Sequence, residues 1–261
     1  MLDYELNERH DLLRRTFLHL PGVGPRRELA LWRAGVTDWE AFLARGEALL
    51  PAKLRGTGRA MVARSLAALE GPGGLAGLAG LIPPAEHWRF YPRCGRVVCL
   101  DIETGGSPED WGGVTVVGLY GGEGVEQFVA DRNMWLVNDA MKGYDVVVTF
   151  AGASFDLPVL RQVFPNLYVP PVHIDLRWVL KRLGLTGGLK RIERVLGIQR
   201  PGEVEGLGGY EAVWLWQRHL AGESGALEKL LLYNAQDVIN LLPLLRWAVG
   251  NLASRLLERV E

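Results

Sequence analysis

Arg96-Val-Val-Cys-Leu-Asp-Ile-Glu103 is the stretch that decides the fold. Its β-branched, apolar run predicts a strand that is buried up to Leu100 and then carries two acids. Asp101 and Glu103 are two residues apart, so strand geometry puts both carboxylates on one face. Acids at the tip of a buried strand are costly unless something positive sits between them. Taken alone, an Asp-x-Glu pair also fits an ordinary solvated strand end.

Downstream, Val114 to Tyr120 and Val125 to Val129 read as two more strands. They are joined by the hairpin signal Gly121-Gly122-Glu123-Gly124. A helix is expected near Arg132 to Met141. Asp145-Val-Val-Val-Thr-Phe150 is a short apolar strand of the fully buried type. A helix near Phe155 to Val163 and a strand at Val172 to Asp175 follow. Helices are then expected over Leu176–Leu183, Leu189–Leu196, Tyr210–Leu220 and Ala226–Val249. A strand meander followed by alternating helix and strand predicts an α/β chain, a mixed sheet with helices on its faces.

Upstream, the densest Gly/Pro run is Gly71 to Gly80 followed by Ile82-Pro83-Pro84. Residues 71–90 read as a linker. It divides a small all-α module, residues 1–70, from a larger domain, residues 91–261. In the module, Leu12, Leu13, Thr16 and Phe17 share a helical face, and Glu28 to Ala34 continues the pattern after Pro25. Thr37-Asp38 suits an N-cap for a segment from Trp39, and a fourth helix is expected from about Arg59 to Leu69.

The chain has 261 residues, 48% of them hydrophobic, and a formal net charge of −1. That composition argues against a disordered chain. No stretch offers the roughly 18 uninterrupted apolar residues of a membrane span. The first ten residues carry acids where a signal peptide needs basic and then apolar residues, so a cytoplasmic protein is expected. The near-zero net charge hides a strong pattern. Residues 10–64 hold ten Lys/Arg against five Asp/Glu, and residues 177–200 hold seven against one. Between them, residues 101–175 hold three against eleven.

Two further acids belong with Asp101 and Glu103. Asp156 follows the buried strand and a Gly-containing turn, near the start of a helix. Tyr233 and Asp237 are i and i+4 on the last helix, on a face shared with Leu230 and Leu241. Singly, Asp156 could be a dipole-complementing acid and Tyr233–Asp237 a surface pair. Four carboxylates in one place carry about −4, which self-repulsion forbids unless cations bind. Two divalent ions would balance that charge, and hard oxygen ligands select Mg²⁺ or Mn²⁺. Two such ions clamp the attacking and leaving oxygens of an in-line phosphoryl displacement. Tyr233 would hold or help activate the attacking water.

The order Asp101-x-Glu103, Phe155-Asp156 and Tyr233-x-x-x-Asp237 resembles the DEDD exonucleases, Tyr-bearing branch, whose fold is ribonuclease H-like. More narrowly it is similar to the YprB-type ribonuclease H-like domain. Leu100-Asp-Ile-Glu-Thr104, Thr149-Phe-x-Gly-x-x-Phe-Asp-Leu-Pro158, His173-Ile-Asp-Leu176, Gly187-Gly-Leu-Lys190 and Tyr233-Asn-x-x-Asp237 carry that likeness. Ala151 departs from it, since the family commonly has Asn there. The resemblance implies metal-dependent 3′→5′ exonuclease activity on DNA or RNA, on a single-stranded 3′ end. It implies Asp101, Glu103, Asp156 and Asp237 as metal ligands, Tyr233 as a catalytic partner, and Thr104 among the nucleic-acid contacts. It also implies three antiparallel strands, with later strands parallel to the first. Asp175 reads as the cap of the helix from Leu176.

Lys190 lies at a Gly-Gly-Leu-Lys turn leading into a helix, which suits a phosphate contact. Phe155 is placed to stack on a terminal base. Leu20-Pro-Gly-Val-Gly-Pro-Arg-Arg27 resembles the helix-hairpin-helix motif, with Gly22 and Gly24 turning the backbone and Arg26 and Arg27 adding charge. Leu54-Arg-Gly-Thr-Gly-Arg59 reads as a weaker second copy. The rival readings are a catalytically weak nucleic-acid-binding protein, a structure-selective endonuclease using the same carboxylates, and a phosphatase-like enzyme on small molecules.

Overall fold

The computed structural model describes residues 11–71 and 74–259. The first ten residues, where the signal-peptide question falls, lie outside the described residues, as do two positions of the expected linker. The chain divides into two compact units, Met1–Gly95 with Trp247–Glu261, and Arg96–Arg246. Among the described residues no helix is long and apolar enough to cross a membrane.

The first unit is helical: α1 (Pro25–Arg33), α2 (Trp39–Arg45), α3 (Arg55–Glu70) and α4 (Gly74–Ala79). Asp38 caps α2, its side chain accepting from the Ala41 amide at 2.7 Å. The helix expected over Leu12–Phe17 is not formed; residues 12–15 are turns. Leu12, Leu13 and Phe17 are buried as their spacing suggests. The backbone groups, however, are taken by side chains. The Trp32 indole donates to Arg15 O, the Trp39 indole to Thr16 O, and Glu28 accepts from the Phe17 amide. The Trp39 amide takes Arg14 O as well, so these groups are paired outside an α-helical ladder.

That outcome corrects the helix-hairpin-helix expectation. Leu20-Pro-Gly-Val23 does form a tight turn, with Val23 N on Leu20 O at 3.0 Å and Gly22 at φ +72. Gly24 is the N-cap of α1, but no helix precedes the turn among the described residues. Leu54–Arg59 forms no second hairpin either. α3 already begins at Arg55, and Gly58 is a packing glycine: a Cβ there would lie 2.7 Å from Leu50 Cδ1.

From Gly74 on, the Gly/Pro run expected as a linker is structured. After α4, Pro84–Arg93 forms a 3₁₀ segment in which Trp88, Arg89 and Phe90 are buried. Arg89 bonds Glu28 at 3.1 Å and Glu86 at 2.7 Å. The leucines and aromatics interleaved with the glycines have apolar surface to bury, and that outweighs the permissive backbone.

The second unit is built on β1 (Val97–Thr104), β2 (Val114–Tyr120), β3 (Val125–Val129), α5 (Val137–Met141), β4 (Val146–Thr149), α6 (Asp156–Val163), β5 (Val172–Asp175), α7 (Leu176–Arg182), α8 (Leu189–Val195), α9 (Gly209–Leu220) and α10 (Ala226–Leu257). The sheet order is β3-β2-β1-β4-β5. β1, β2 and β3 pair antiparallel, while β4 and β5 are parallel to β1. The helix expected over Arg132–Met141 is broken, because Asn133 accepts from Val129 N and donates to Gln127 O, holding a turn ahead of α5. α10 runs on to Leu257, past the expected end at Val249, without a break at Pro243.

The two faces of the sheet carry separate cores. Val98, Leu100 and Ile102 of β1 pack with Val117, Leu119, Phe128, Met134, Met141 and Leu160. On the opposite face, Val116 and Val129 pack with Ala212 and Trp216 of α9 and Leu230 and Tyr233 of α10. The period-2 pattern of β1 therefore sends Asp101 and Glu103 toward the helix that carries Tyr233 and Asp237.

Candidate active site

The carboxylates converge at the end of β1. One oxygen each from Asp101, Glu103 and Asp237 lie within 4.8 Å of one another. Glu103 and Asp237 are buried. Leu230, Tyr233, Asp237 and Leu241 all face inward from α10, as the i, i+4 spacing predicts. Asp101, Glu103, Thr104, Phe150, Phe155, Lys190, Tyr233 and Asp237 line one cleft of about 270 Å³.

Asp156 is buried at the start of α6, outside the 4.8 Å grouping of that trio but near enough for its charge to act on Asp101. Its Oδ1 accepts from the Ile102 amide at 3.2 Å, tying β1 to α6 between the two strand acids. Asp175 caps α7 through the Arg177 amide at 3.1 Å. It also accepts from Ala151 N at 2.8 Å and Ala153 N at 3.1 Å. It thereby grips the turn that delivers Phe155 and Asp156, in which Ala151 adopts φ +67.

Burial and mutual repulsion govern the charges. Burial, and then the charges of Asp237, Glu103 and Asp156, push the Asp101 carboxyl well above its ordinary range. Burial and the Asp237 charge raise Glu103 to about 8. Burial raises Asp156 to about 6 against the backbone hydrogen bonds it accepts. Glu103 Oε1 is buried without a hydrogen-bond partner among the described residues. An orphaned carboxylate oxygen beside two more hard oxygen donors suits a divalent cation, so the residues present fit one.

Tyr233 and Lys190 form the roof. Lys190 Nζ donates to Tyr233 Oη at 2.6 Å, sits 4.5 Å from the ring centroid, and lies 3.6 Å from Asp237 Oδ2. Burial, followed by the charges of Asp237, Glu103 and Asp101, holds the phenol well above its ordinary pKa. The phenol therefore stays protonated and can donate a hydrogen bond. Asn234, next along α10, donates to Asp101 Oδ2 at 3.3 Å and accepts from Gln127 Nε2 at 3.0 Å.

Of the expected nucleic-acid contacts, Thr104, Phe155 and Lys190 meet at this cleft, and Phe155 is 47% exposed. Gly22, Gly24, Arg26 and Arg27 line a surface groove of the other unit, where the Arg27 guanidinium turns back to the Gly22 carbonyl. Three residues escaped the sequence reading. Asn234 was visible inside the Tyr233-Asn-x-x-Asp237 motif but carried no assigned role. Phe150 ends an apolar strand in the sequence and lines the cleft in the structure. Arg200 falls in a basic block of the sequence, yet its side chain is only 6% exposed and forms ion pairs with Glu193 and Asp237. No local pattern announces this, because Arg200 sits in a loop with no periodicity.

The family B DNA polymerase from the hyperthermophilic archaeon Pyrobaculum calidifontis is similar in structure, with 22% identity and a TM-score of 0.44. The likeness covers 62% of this chain and 24% of the polymerase, so this chain spans about a quarter of that protein's length. No curated protein matches the chain. The family model of the RNase H superfamily matches residues 98–249, a span that takes in every residue of the cleft. That match covers more than half of the chain and follows the sheet, the carboxylates and α10 together: the chain belongs to the RNase H superfamily.

Proposed function

We propose that the protein is a metal-dependent nuclease that removes nucleotides 3′→5′ from DNA or RNA ends, in the manner of the Tyr-bearing DEDD exonucleases. The observation that carries this reading is the convergence of Asp101, Glu103 and Asp237 on one point, with Glu103 Oε1 lacking a hydrogen-bond partner among the described residues. RNase H-like nucleases use divalent metals and act on nucleic acid, which the superfamily membership supports. In this reading Asp101, Glu103 and Asp237 hold Mg²⁺ or Mn²⁺, with Asp156 completing the set for two ions. When bound, the ions supply charge for the attacking and leaving oxygens of the scissile phosphate.

The chain's own residues do the rest. Lys190 occupies the Tyr233 oxygen as donor, so the phenolic proton is free to point into the cleft and orient water or a phosphate oxygen. The raised pKa makes Tyr233 a positioning donor, and it does not serve as a base. Phe155 offers an exposed aromatic face at the rim for a terminal base. In this reading Arg26 and Arg27 supply the N-terminal module's positive charge for a phosphate backbone.

The test is end-labelled single- and double-stranded DNA and RNA with Mg²⁺ or Mn²⁺. Mononucleotide release from the 3′ end is expected, abolished by Asp101→Ala and by Asp237→Ala. Cleavage of a closed circle would replace the exonuclease assignment with an endonuclease. Firm binding without turnover in either metal would leave a binding protein.

A further inference from the structure

Asp237 is anchored by a closed ring of side chains. The Arg200 guanidinium bonds Asp237 Oδ1 through Nη2. The same guanidinium grips Glu193 of α8 with two parallel bonds, Nε to Oε2 at 2.7 Å and Nη2 to Oε1 at 2.6 Å. Glu193 Oε1 also accepts from Asn240 Nδ2 at 3.0 Å. Asn240 is three residues from Asp237, one turn along α10. The ring therefore runs from α10 through the loop that carries Arg200 to α8, and back to α10.

The burial is nearly complete. The side chains of Arg200, Glu193 and Asp237 are 6%, 2% and 7% exposed. Arg200 and Glu193 cancel each other's charge, so the pair changes the net charge felt at the carboxylates little. What it supplies is geometry: a planar fork fixed by one carboxylate, whose remaining edge fixes another. Lys190, by contrast, reaches Asp237 as a partly exposed point charge at 3.6 Å.

The geometry points to Arg200 as a positioning residue. Clamped by Glu193 and Asn240, it holds the Asp237 carboxylate in the orientation that a divalent cation at the Asp101–Glu103–Asp237 point requires. This inference rests on the proposed metal-dependent reading and assigns that site its orienting partner. Residues that orient a metal ligand are commonly worth about 10–100-fold in metal affinity. Arg200 would then be lost to phosphate binding, unlike the rest of the basic segment in which it falls.

The experiment measures Mn²⁺ binding to the full chain without substrate, by calorimetry and by the spin-resonance signal of free Mn²⁺. Arg200→Ala strands a buried Glu193 and can fail to fold, so the informative variants are Arg200→Lys and the neutral pair Arg200→Met with Glu193→Gln. Circular dichroism confirms their fold. Both are expected to bind Mn²⁺ about tenfold more weakly. Hydrolysis is expected to recover when Mn²⁺ is raised in proportion, with the KM for substrate little changed. Wild-type Mn²⁺ affinity in either folded variant would overturn the clamp while leaving the nuclease reading intact. A tighter affinity would do the same, showing Arg200 to be a competitor for Asp237. Failure of the wild type to bind Mn²⁺ would overturn both readings together.

Discussion

Asn234 of α10 rests on the bare backbone of Gly118 on β2, so closely that a Cβ at 118 would fall inside the carboxamide. Gly118 is the direct partner of Asp101 in the β1–β2 register, and Asn234 donates to Asp101. The missing side chain at one position thus makes room for the Asn234 carboxamide that joins the helix bearing Tyr233 and Asp237 to Asp101. Gly118→Ala must displace the Asn234 carboxamide from its bonds to Asp101 and Gln127. Overpacking of this kind costs about 1–3 kcal/mol, measurable by urea denaturation. Metal-dependent hydrolysis should fall by more than stability alone explains. A Gly118→Ala protein with wild-type stability and turnover would show that α10 does not need this approach.

Lys190 and Tyr233 share one hydrogen bond, so their effects should not add. Tyr233→Phe removes only the hydroxyl and should slow hydrolysis about tenfold or more while substrate binding changes little. Lys190→Met leaves the hydroxyl without its donor and should also slow the reaction. The double variant should lose less than the product of the two single losses. Strict multiplication of the losses in a double-mutant cycle would mean that the two groups act separately.

Ala151 holds φ +67, where an L residue with a Cβ is strained, in the turn gripped by Asp175. Glycine would remove about 1–2 kcal/mol of that strain and return about 0.5–1 kcal/mol in chain entropy. Ala151→Gly should therefore raise the denaturation midpoint slightly and leave activity unchanged. A lowered midpoint would count against the strain argument.

His19 gives the helical unit an acid-sensitive point. It is 7% exposed, and neither ring nitrogen has a hydrogen-bond partner among the described residues. Burial and then the Arg89 charge lower its pKa to about 4 from 6.5. The folded state thus binds this proton less well than the unfolded chain. The stabilisation is complete above pH about 6.5 and declines as pH falls toward 4, by up to about 3 kcal/mol. His19→Phe should flatten this part of the pH–stability curve, read by thermal melts between pH 7 and 4. An unchanged slope would assign the acid sensitivity to other groups.

Much of the second unit was legible. Val114–Tyr120, Val125–Val129 and Val172–Asp175 fall where the apolar runs and the hairpin glycines place them. The buried Leu230, Tyr233, Asp237 and Leu241 follow helical spacing. These are local properties, and local periodicity records which face of an element meets a core. The helical module was less legible at Leu12–Phe17. There the apolar spacing matched a helix while indoles and Glu28 captured the backbone groups. The glycine run from Gly71 similarly hid a structured segment, because its leucines and aromatics matter more than its flexibility.

What the sequence by itself determined is the inventory and its order: acids two apart on a strand, an acid after a second strand, and a Tyr and an Asp one turn apart on a helix. Each follows from a repeat of two or 3.6 residues. Only the tertiary structure decided which of those acids share a point, that Asp156 is committed to the Ile102 amide, and that Arg200 is bound within the protein. Those outcomes depend on loops and on distances between residues tens of positions apart. Such distances are fixed by how closely distant elements can pack, as where the Asn234 side chain meets the bare backbone of Gly118, and no local pattern encodes that closeness.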